Sequence, residues 1–313
     1  TNTGEMVQLT DGRTMDAGWA VWCEYRLRGI FNHLSALNQA RGEVYYFQDE
    51  GLFCSDVTGP DRVGLGNRQV LNLPGRIPVG QTGFSPDGRH FAFIHADAQA
   101  FRKAMADREA LTNMGMWFWG RDHNAWRNSL PTTIGLVDTE TGQYSEVVAL
   151  DYHVHHVFFM DNERLLVNHP KDDSGMWSVR IDGTDLRPLR PRDEHGAICH
   201  QVITSNGIFY EANLWADNVR SVWFGRYDPE TGSHEEVGLP GMDYVHTGLD
   251  PEGRFLFFEN MGDTHELLSA HFPRDPDRFR LNLLRRLSPI PFGQRYHAHP
   301  FLSPDRGQMF FTE

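Results

Sequence analysis

Four histidines stand at nearly the same place in four successive copies of one sequence repeat. They are His155, His200, His246 and His299, and they are separated by 45, 46 and 53 residues. Three neutral imidazoles and one oxygen ligand suit a divalent transition metal, and such a site can keep a position open for a substrate. Asp243, three residues before His246, is the nearest candidate oxygen donor. The sequence therefore predicts a catalytic metal site, provided that the fold brings these residues together.

The spacing of the histidines is that of a β-propeller blade. Two turn motifs mark the same repeat. One precedes the second strand, as in Ser-Pro-Asp-Gly at 85–88 and Asp-Pro-Glu-Gly at 250–253; the other separates the outer strands, as at 138–142 and 228–232. Short apolar strands between such turns are typical of four-stranded antiparallel blades. Equivalent positions of adjacent blades meet at one end of a central channel, so we expect one cluster of histidines.

The predicted fold is thus all-β, a single β-propeller domain over residues 1–313. We count about six blades, and both ends of the chain look like partial blades, which favours seven blades in the parent molecule. Residues 97–130 interrupt the period and are rich in Ala, Arg and Met. Because residues 100–111 have a helical pattern, we predict a partly helical insertion between the second and third strands of one blade.

Composition limits the partners that this chain can have. Its net charge is −13, and no run of Lys or Arg rises above the background, which argues against nucleic acid and membrane surfaces as partners.

The three cysteines lack redox or metal spacing, which favours a reducing compartment. We therefore expect a cytoplasmic protein, and a periplasmic or secreted location stays open if a leader has been removed. The sequence leaves the oligomeric state open.

Further polar side chains accompany the four histidines. As candidate substrate contacts we take His153, His156, Arg295 and His297. Each of these three histidines can equally well be a neighbour of the metal ligands or a surface residue. Arg295 and Tyr296 could reach the carboxylate of a substrate, or they could cap a loop at the rim of the propeller.

The stretch from His155 to Glu313 resembles the oligogalacturonate lyase family, the propeller-type pectin lyases. The matching features are Met176-Trp with Asp182-Gly-Thr, Cys199-His-Gln, His246 with its Asp-Pro-Glu-Gly turn and, as the most specific motif, His-Ala-His-Pro-Phe-Leu-Ser-Pro-Asp at 297–305. Residues 1–149 fit the family more loosely, through the blade period, the turns at 85–88 and 138–142 and the insertion. The resemblance covers roughly half of the chain.

The resemblance implies a metal site and a base. It implies that His200, His246 and His299 bind a divalent metal and that His155 is the Brønsted base. Mn²⁺ is the expected metal, and Ca²⁺ and Zn²⁺ are the alternatives. Asp243 stands where the family has a glutamine ligand, and a carboxylate binds a hard cation at least as well.

The chain departs from the family at a second place. A catalytic-region arginine of the family falls near Thr133, which cannot replace it. Arg127 or Arg121 of the insertion is a candidate substitute, and Tyr296 is a further candidate catalytic residue. This departure leaves the identity of the substrate open.

The activity that the resemblance implies is β-elimination on an acidic oligosaccharide or polysaccharide with 4-linked uronates. Two other functions stay open. A metal-dependent hydrolase or lactonase on a propeller would incorporate water into its product. A non-enzymatic interaction propeller with structural histidines would bind no metal.

Overall fold

The structure of this chain is a computed structural model. The described residues are 35–38, 40–48, 50–56, 58, 67–104, 130–154, 156–168, 175–216, 219–239, 242, 245–250, 252–261, 265–271, 280–287, 300–303 and 306–311. They form two compact units, Thr1–Asp172 with Trp177–Arg187, and Asp173–Met176 with Pro188–Glu313. The single domain and the seven blades stay predictions.

The first three sheets in chain order have four strands each, and strands that follow one another in the chain are neighbours in the sheet. These strands are β1 (Ser35–Asn38), β2 (Glu43–Gln48), β3 (Gly51–Asp56) and β4 (Arg68–Asn72); β5 (Arg76–Phe84), β6 (His90–Asp97), β7 (Thr132–Asp138) and β8 (Tyr144–Leu150); β9 (Val157–Phe159), β10 (Arg164–Asn168), β11 (Met176–Arg180) and β12 (Arg187–Arg190). This meander is the topology predicted for a blade.

The last three sheets repeat the pattern, with two four-stranded sheets and a two-stranded one. Their strands are β13 (Ala197–Thr204), β14 (Gly207–Ala216), β15 (Val219–Tyr227) and β16 (His234–Leu239); β17 (Val245–Leu249), β18 (Phe255–Met261), β19 (His265–His271) and β20 (Leu281–Arg286); β21 (Phe301–Leu302) and β22 (Met309–Phe310). Their pairings are antiparallel. The described residues thus contain the six sheets counted from the sequence, the last as the predicted fragment of two strands.

The two predicted turn motifs lie where the sequence places them. Residues 85–88 connect β5 to β6, and Gly88 has a φ of 71°, a left-handed conformation that glycine adopts without strain. Residues 138–142 connect β7 to β8. There the carboxylate of Asp138 accepts hydrogen bonds from the backbone N–H groups of Thr141 at 2.9 Å and Glu140 at 3.0 Å. These bonds lower the pKa of Asp138 to about 2, so the turn contains a permanently ionised acceptor at neutral pH.

Apolar side chains from neighbouring sheets form the core of each unit. In the first unit, buried residues such as Val79, Ile94 and Leu165 belong to one cluster. In the second unit, the rings of Phe224 on β15 and Phe258 on β18 meet edge to face, with centroids 5.0 Å apart. Alternate residues of a strand point to the same face, so each strand can pack its sheet against the next one.

The insertion begins as predicted, between the second and third strands of the second sheet. A helix occupies residues 98–104, and Asp97 caps it because its Oδ1 accepts the N–H of Ala100 at 2.7 Å. Phe101 is buried in the core of the first unit. The rest of the predicted helix lies outside the described residues. In the described part of the chain, no helix has the length and apolar character needed to cross a membrane.

Candidate active site

Two of the four repeated histidines lie in first strands that the structure describes. His200 belongs to β13 and His246 to β17, and these strands contact each other within the second unit. The two residues therefore lie in the first strands of two sheets that contact each other, and their convergence on one metal ion stays a prediction. Side-chain positions are described for His200 but not for His246.

His200 has an unusual backbone for a strand residue. Its φ is 49°, in the left-handed region, and the pairing of β13 with β14 shifts register between Cys199 and Val202. Non-glycine residues in such a conformation cost roughly 1–3 kcal/mol and occur preferentially at functional sites. β-Bulges beside active sites commonly redirect a side chain. A left-handed φ and a register shift thus coincide at His200.

The His200 ring is held by a buried carboxylate. Its Nδ1 lies 2.8 Å from Oε2 of Glu211, the fifth residue of β14, which is 0% exposed. The hydroxyl of Thr247 on β17 donates to the other oxygen, Oε1, at 2.6 Å. Sequence reasoning missed Glu211, although an acidic residue inside the apolar stretch Ile-Phe-Tyr-Glu-Ala was a signal for it.

The next sheet repeats this feature. Glu259 is the fifth residue of β18, is 0% exposed, and pairs across the sheet with His246. Its Oε2 lies 3.4 Å from Nε2 of His265 on β19. A buried carboxylate therefore occupies the same position in two successive blades, each time on the strand next to a predicted metal ligand.

Eight further predicted site residues lie outside the described residues. Among the metal ligands they are Asp243 and His299. Among the catalytic residues and substrate contacts they are His155, Arg121, Arg127, Arg295, Tyr296 and His297. These assignments stay predictions.

Two predicted substrate contacts are buried. His153 is 2% exposed, and its Nε2 lies 3.0 Å from the carbonyl oxygen of Val79. His156 is also buried, and its ring meets that of Phe158 edge to face at 5.8 Å. Such buried positions are typical of structural histidines, and the assignment of both residues as substrate contacts stays a prediction.

Thr133 also lies in the interior of its sheet. It is buried on β7 and pairs with His95 of β6. A short uncharged side chain at a buried strand position cannot replace the long cationic side chain of an arginine, as the sequence indicates.

A second group of candidate metal ligands comes from two places in the second unit, the connection between β12 and β13 and strand β16. Ligand atoms of Asp193, His195 and Glu236 all lie within 4.8 Å of one another. His195 also stacks on Trp223 at 4.4 Å between ring centroids. No spacing in the sequence indicates this group, because Glu236 stands 41 residues after His195.

The guanidinium of Arg190 lies between the carboxylates of this group, where a metal ion would have to bind. Its Nη2 donates to Glu236 at 2.8 Å and lies 2.6 Å from a carboxylate oxygen of Asp193, and its side chain is 2% exposed. Burial raises the pKa of Glu236, but hydrogen bonds from His195, Tyr210 and Arg190 outweigh it, so the net pKa lies below the usual value. A divalent cation would have to displace a buried cation here. We therefore interpret the group as an ion-pair network.

This interpretation predicts a large loss of stability on removing Arg190. Arg190→Met should lower the free energy of unfolding by about 3–5 kcal/mol, because it leaves two carboxylates without their cation. Urea unfolding measures this change. The control is Arg180→Met, which breaks an exposed pair with Glu163 and should cost at most about 1 kcal/mol. Equal, small losses for both variants would contradict the ion-pair interpretation.

The sheets define the class of protein. The chain has the fold of a β-propeller built from four-stranded antiparallel blades. No protein-family model and no curated protein matches the chain.

Solved structures that share this fold include oligogalacturonate lyases. An oligogalacturonate lyase in complex with manganese is 15% identical with a TM-score of 0.69, over 89% of this chain and 72% of that chain. The oligogalacturonate lyase from Vibrio parahaemolyticus is 14% identical with a TM-score of 0.64, over 89% and 73%. A puromycin-hydrolyzing peptidase from Mycobacterium tuberculosis is 16% identical with a TM-score of 0.54, over 85% of this chain and 38% of that one. At these identities the likeness shows the fold alone.

Proposed function

We propose that the protein is a polysaccharide lyase. It cleaves glycans that contain 4-linked uronates by metal-assisted β-elimination and leaves a 4,5-unsaturated uronate at the new chain end. Galacturonate chains and glucuronate in a rhamnose-containing polymer are both candidate substrates.

The observation that carries the proposal is the environment of His200. The ring lies in the first strand of a blade, in a left-handed backbone, with Nδ1 against the buried Glu211. Metal-binding histidines commonly donate their second N–H to such a carboxylate. The shared fold with a lyase that binds manganese supports the same conclusion.

The donor set fits a divalent cation. In the proposal, Glu211 accepts the N–H at Nδ1 of His200, which leaves the lone pair of Nε2 for the ion. In the proposal, His246, His299 and Asp243 provide the other donors. Imidazole and carboxylate groups suit Mn²⁺, the ion proposed here, and also Zn²⁺, whereas Ca²⁺ prefers oxygen donors alone.

The proposed chemistry begins with the proton on C5 of the uronate. When bound by the proposed ligands, a divalent cation would offset the charge of the uronate carboxylate and the charge that develops beside it. The neutral imidazole of His155 takes the C5 proton. The electron pair of the broken C–H bond forms the C4–C5 double bond, and the C4–O bond breaks. The departing sugar oxygen takes up a proton from solvent, and His155 releases the proton from C5 to solvent, so the protons balance. No water is consumed.

Basic and aromatic residues near the chain's insertion and last histidines are proposed to bind the acidic substrate. Arg127 takes the role of the family's arginine, at whose position this chain has Thr133. Arg295, Tyr296 and His297 contact the uronate carboxylates. A chain with a net charge of −13 needs such local positive charge to hold an acidic glycan.

The test is the formation of the unsaturated product from a panel of acidic glycans, each with and without Mn²⁺. We expect ultraviolet absorbance from the conjugated 4,5-unsaturated uronate with at least one substrate, and its loss after chelation of the metal. New reducing ends without this absorbance would indicate hydrolysis and contradict the lyase assignment. Absence of any cleavage and of Mn²⁺ binding would favour the interaction propeller.

A further inference from the structure

Glu211 is the residue that connects the two predicted ligand strands of the second unit. One of its oxygens lies 2.8 Å from Nδ1 of His200 on β13, and the other accepts the hydroxyl of Thr247 on β17. Thr247 directly follows His246. Both oxygens of a fully buried carboxylate are thus engaged by residues at or beside predicted metal ligands, and the two ligands belong to neighbouring blades.

The backbone of β13 departs from a regular strand in a way that permits this contact. Residue 199 pairs with Glu211 across the sheet. Because side chains of a strand alternate between faces, a regular strand would place His200 on the face opposite Glu211. The register shift after Cys199 and the φ of 49° at His200 allow the ring to reach the carboxylate instead.

Stability alone does not account for this arrangement. A buried carboxylate carries a desolvation cost, and a left-handed histidine adds backbone strain. The desolvated carboxylate of Glu211 and the strained backbone of His200 belong to the two partners of a single contact. An arrangement that combines them is expected where the orientation and the tautomer of the ring matter for function.

Resting on the function proposed above, we propose that Glu211 is the positioning residue of the metal centre. Its carboxylate keeps the proton of His200 on Nδ1 and the lone pair on Nε2, and it sets the angle of the ring. Through Thr247, the same carboxylate ties this ring to the strand that carries His246. Loss of an outer partner of this kind typically weakens metal binding by about 10- to 100-fold.

The test is the dissociation constant of Mn²⁺ for the full chain, measured by titration with the paramagnetic resonance signal of free Mn²⁺ as the readout. Glu211→Gln is nearly isosteric, but its amide nitrogen can donate to Nδ1 and so favours the tautomer with the proton on Nε2. We expect Mn²⁺ binding about 10- to 100-fold weaker than in the wild type.

Glu236→Gln is the matched control. It also removes a buried carboxylate that contacts Nδ1 of a histidine in the same unit, here His195. It should cost stability and leave the affinity for Mn²⁺ unchanged. The reverse result, with weaker Mn²⁺ binding for Glu236→Gln and wild-type binding for Glu211→Gln, would place the ion among Asp193, His195 and Glu236 and overturn the inference.

Thr247→Val provides a second test, which also serves if Glu211→Gln does not fold. It removes the donor to Oε1 and leaves the volume of the side chain nearly unchanged. We expect about fivefold weaker Mn²⁺ binding, the effect of one lost hydrogen bond. If the wild type binds Mn²⁺ and both Thr247→Val and Glu211→Gln have an unchanged dissociation constant, the role of Glu211 is overturned and the proposed function is not. A wild type without Mn²⁺ binding would overturn the proposed function as well.

Discussion

His200→Ala should abolish both Mn²⁺ binding and turnover. The substitution removes the imidazole that is proposed to bind the ion, and it leaves the buried Glu211 without the ring nitrogen that lies 2.8 Å from its Oε2. We expect the affinity to fall by more than the roughly 100-fold upper range for an outer partner, because a direct ligand is lost. Metal content after dialysis, together with the rate of formation of the unsaturated product, measures both effects.

Two further variants serve as comparisons for His200→Ala, one expected to have no effect and one expected to have a smaller effect. His234→Ala removes an exposed histidine of β16 and should change neither metal content nor rate. Asp243→Asn should weaken metal binding less than His200→Ala, because an amide oxygen still donates a lone pair. Full metal occupancy in dialysed His200→Ala, equal to that of the wild type, would refute the assignment of His200 as a ligand.

His155→Ala should lower the rate by about 10²- to 10⁴-fold, the usual effect of losing a general base. Its metal content should stay that of the wild type, because the proposed ligands come from the three later blades. The comparison of rate with metal content separates a base from a ligand. A variant that retains most of its activity would move the role to another residue, with Tyr296 as the next candidate.

The same assignment predicts the pH dependence of the wild type. An imidazole must be neutral to accept the C5 proton, so activity should rise as the pH increases through the range in which histidine loses its proton. The profile has to be measured with the metal saturating at every pH. A flat profile across that range would argue against any imidazole base.

The repeat, the turns and the class of fold follow from the sequence because they depend on local chemistry. Glycine at 88 permits a left-handed turn, Asp138 binds the N–H groups of its own turn, and Asp97 caps the helix that begins the insertion. Each of these features involves residues within a few positions of one another. Their regular spacing predicts the six sheets and places His200 and His246 in first strands.

Only the tertiary structure decided which groups surround the candidate ligands. Glu211 meets Thr247 across 36 residues of sequence, and Arg190 meets Glu236 across 46. Such contacts depend on strand register and on the packing of one blade against the next, and a shift by one residue would turn each side chain to the other face. The bulge at His200 is a change of this kind. Residue types and blade period can therefore predict where a metal ligand stands, whereas its partner and its tautomer depend on how the strands meet.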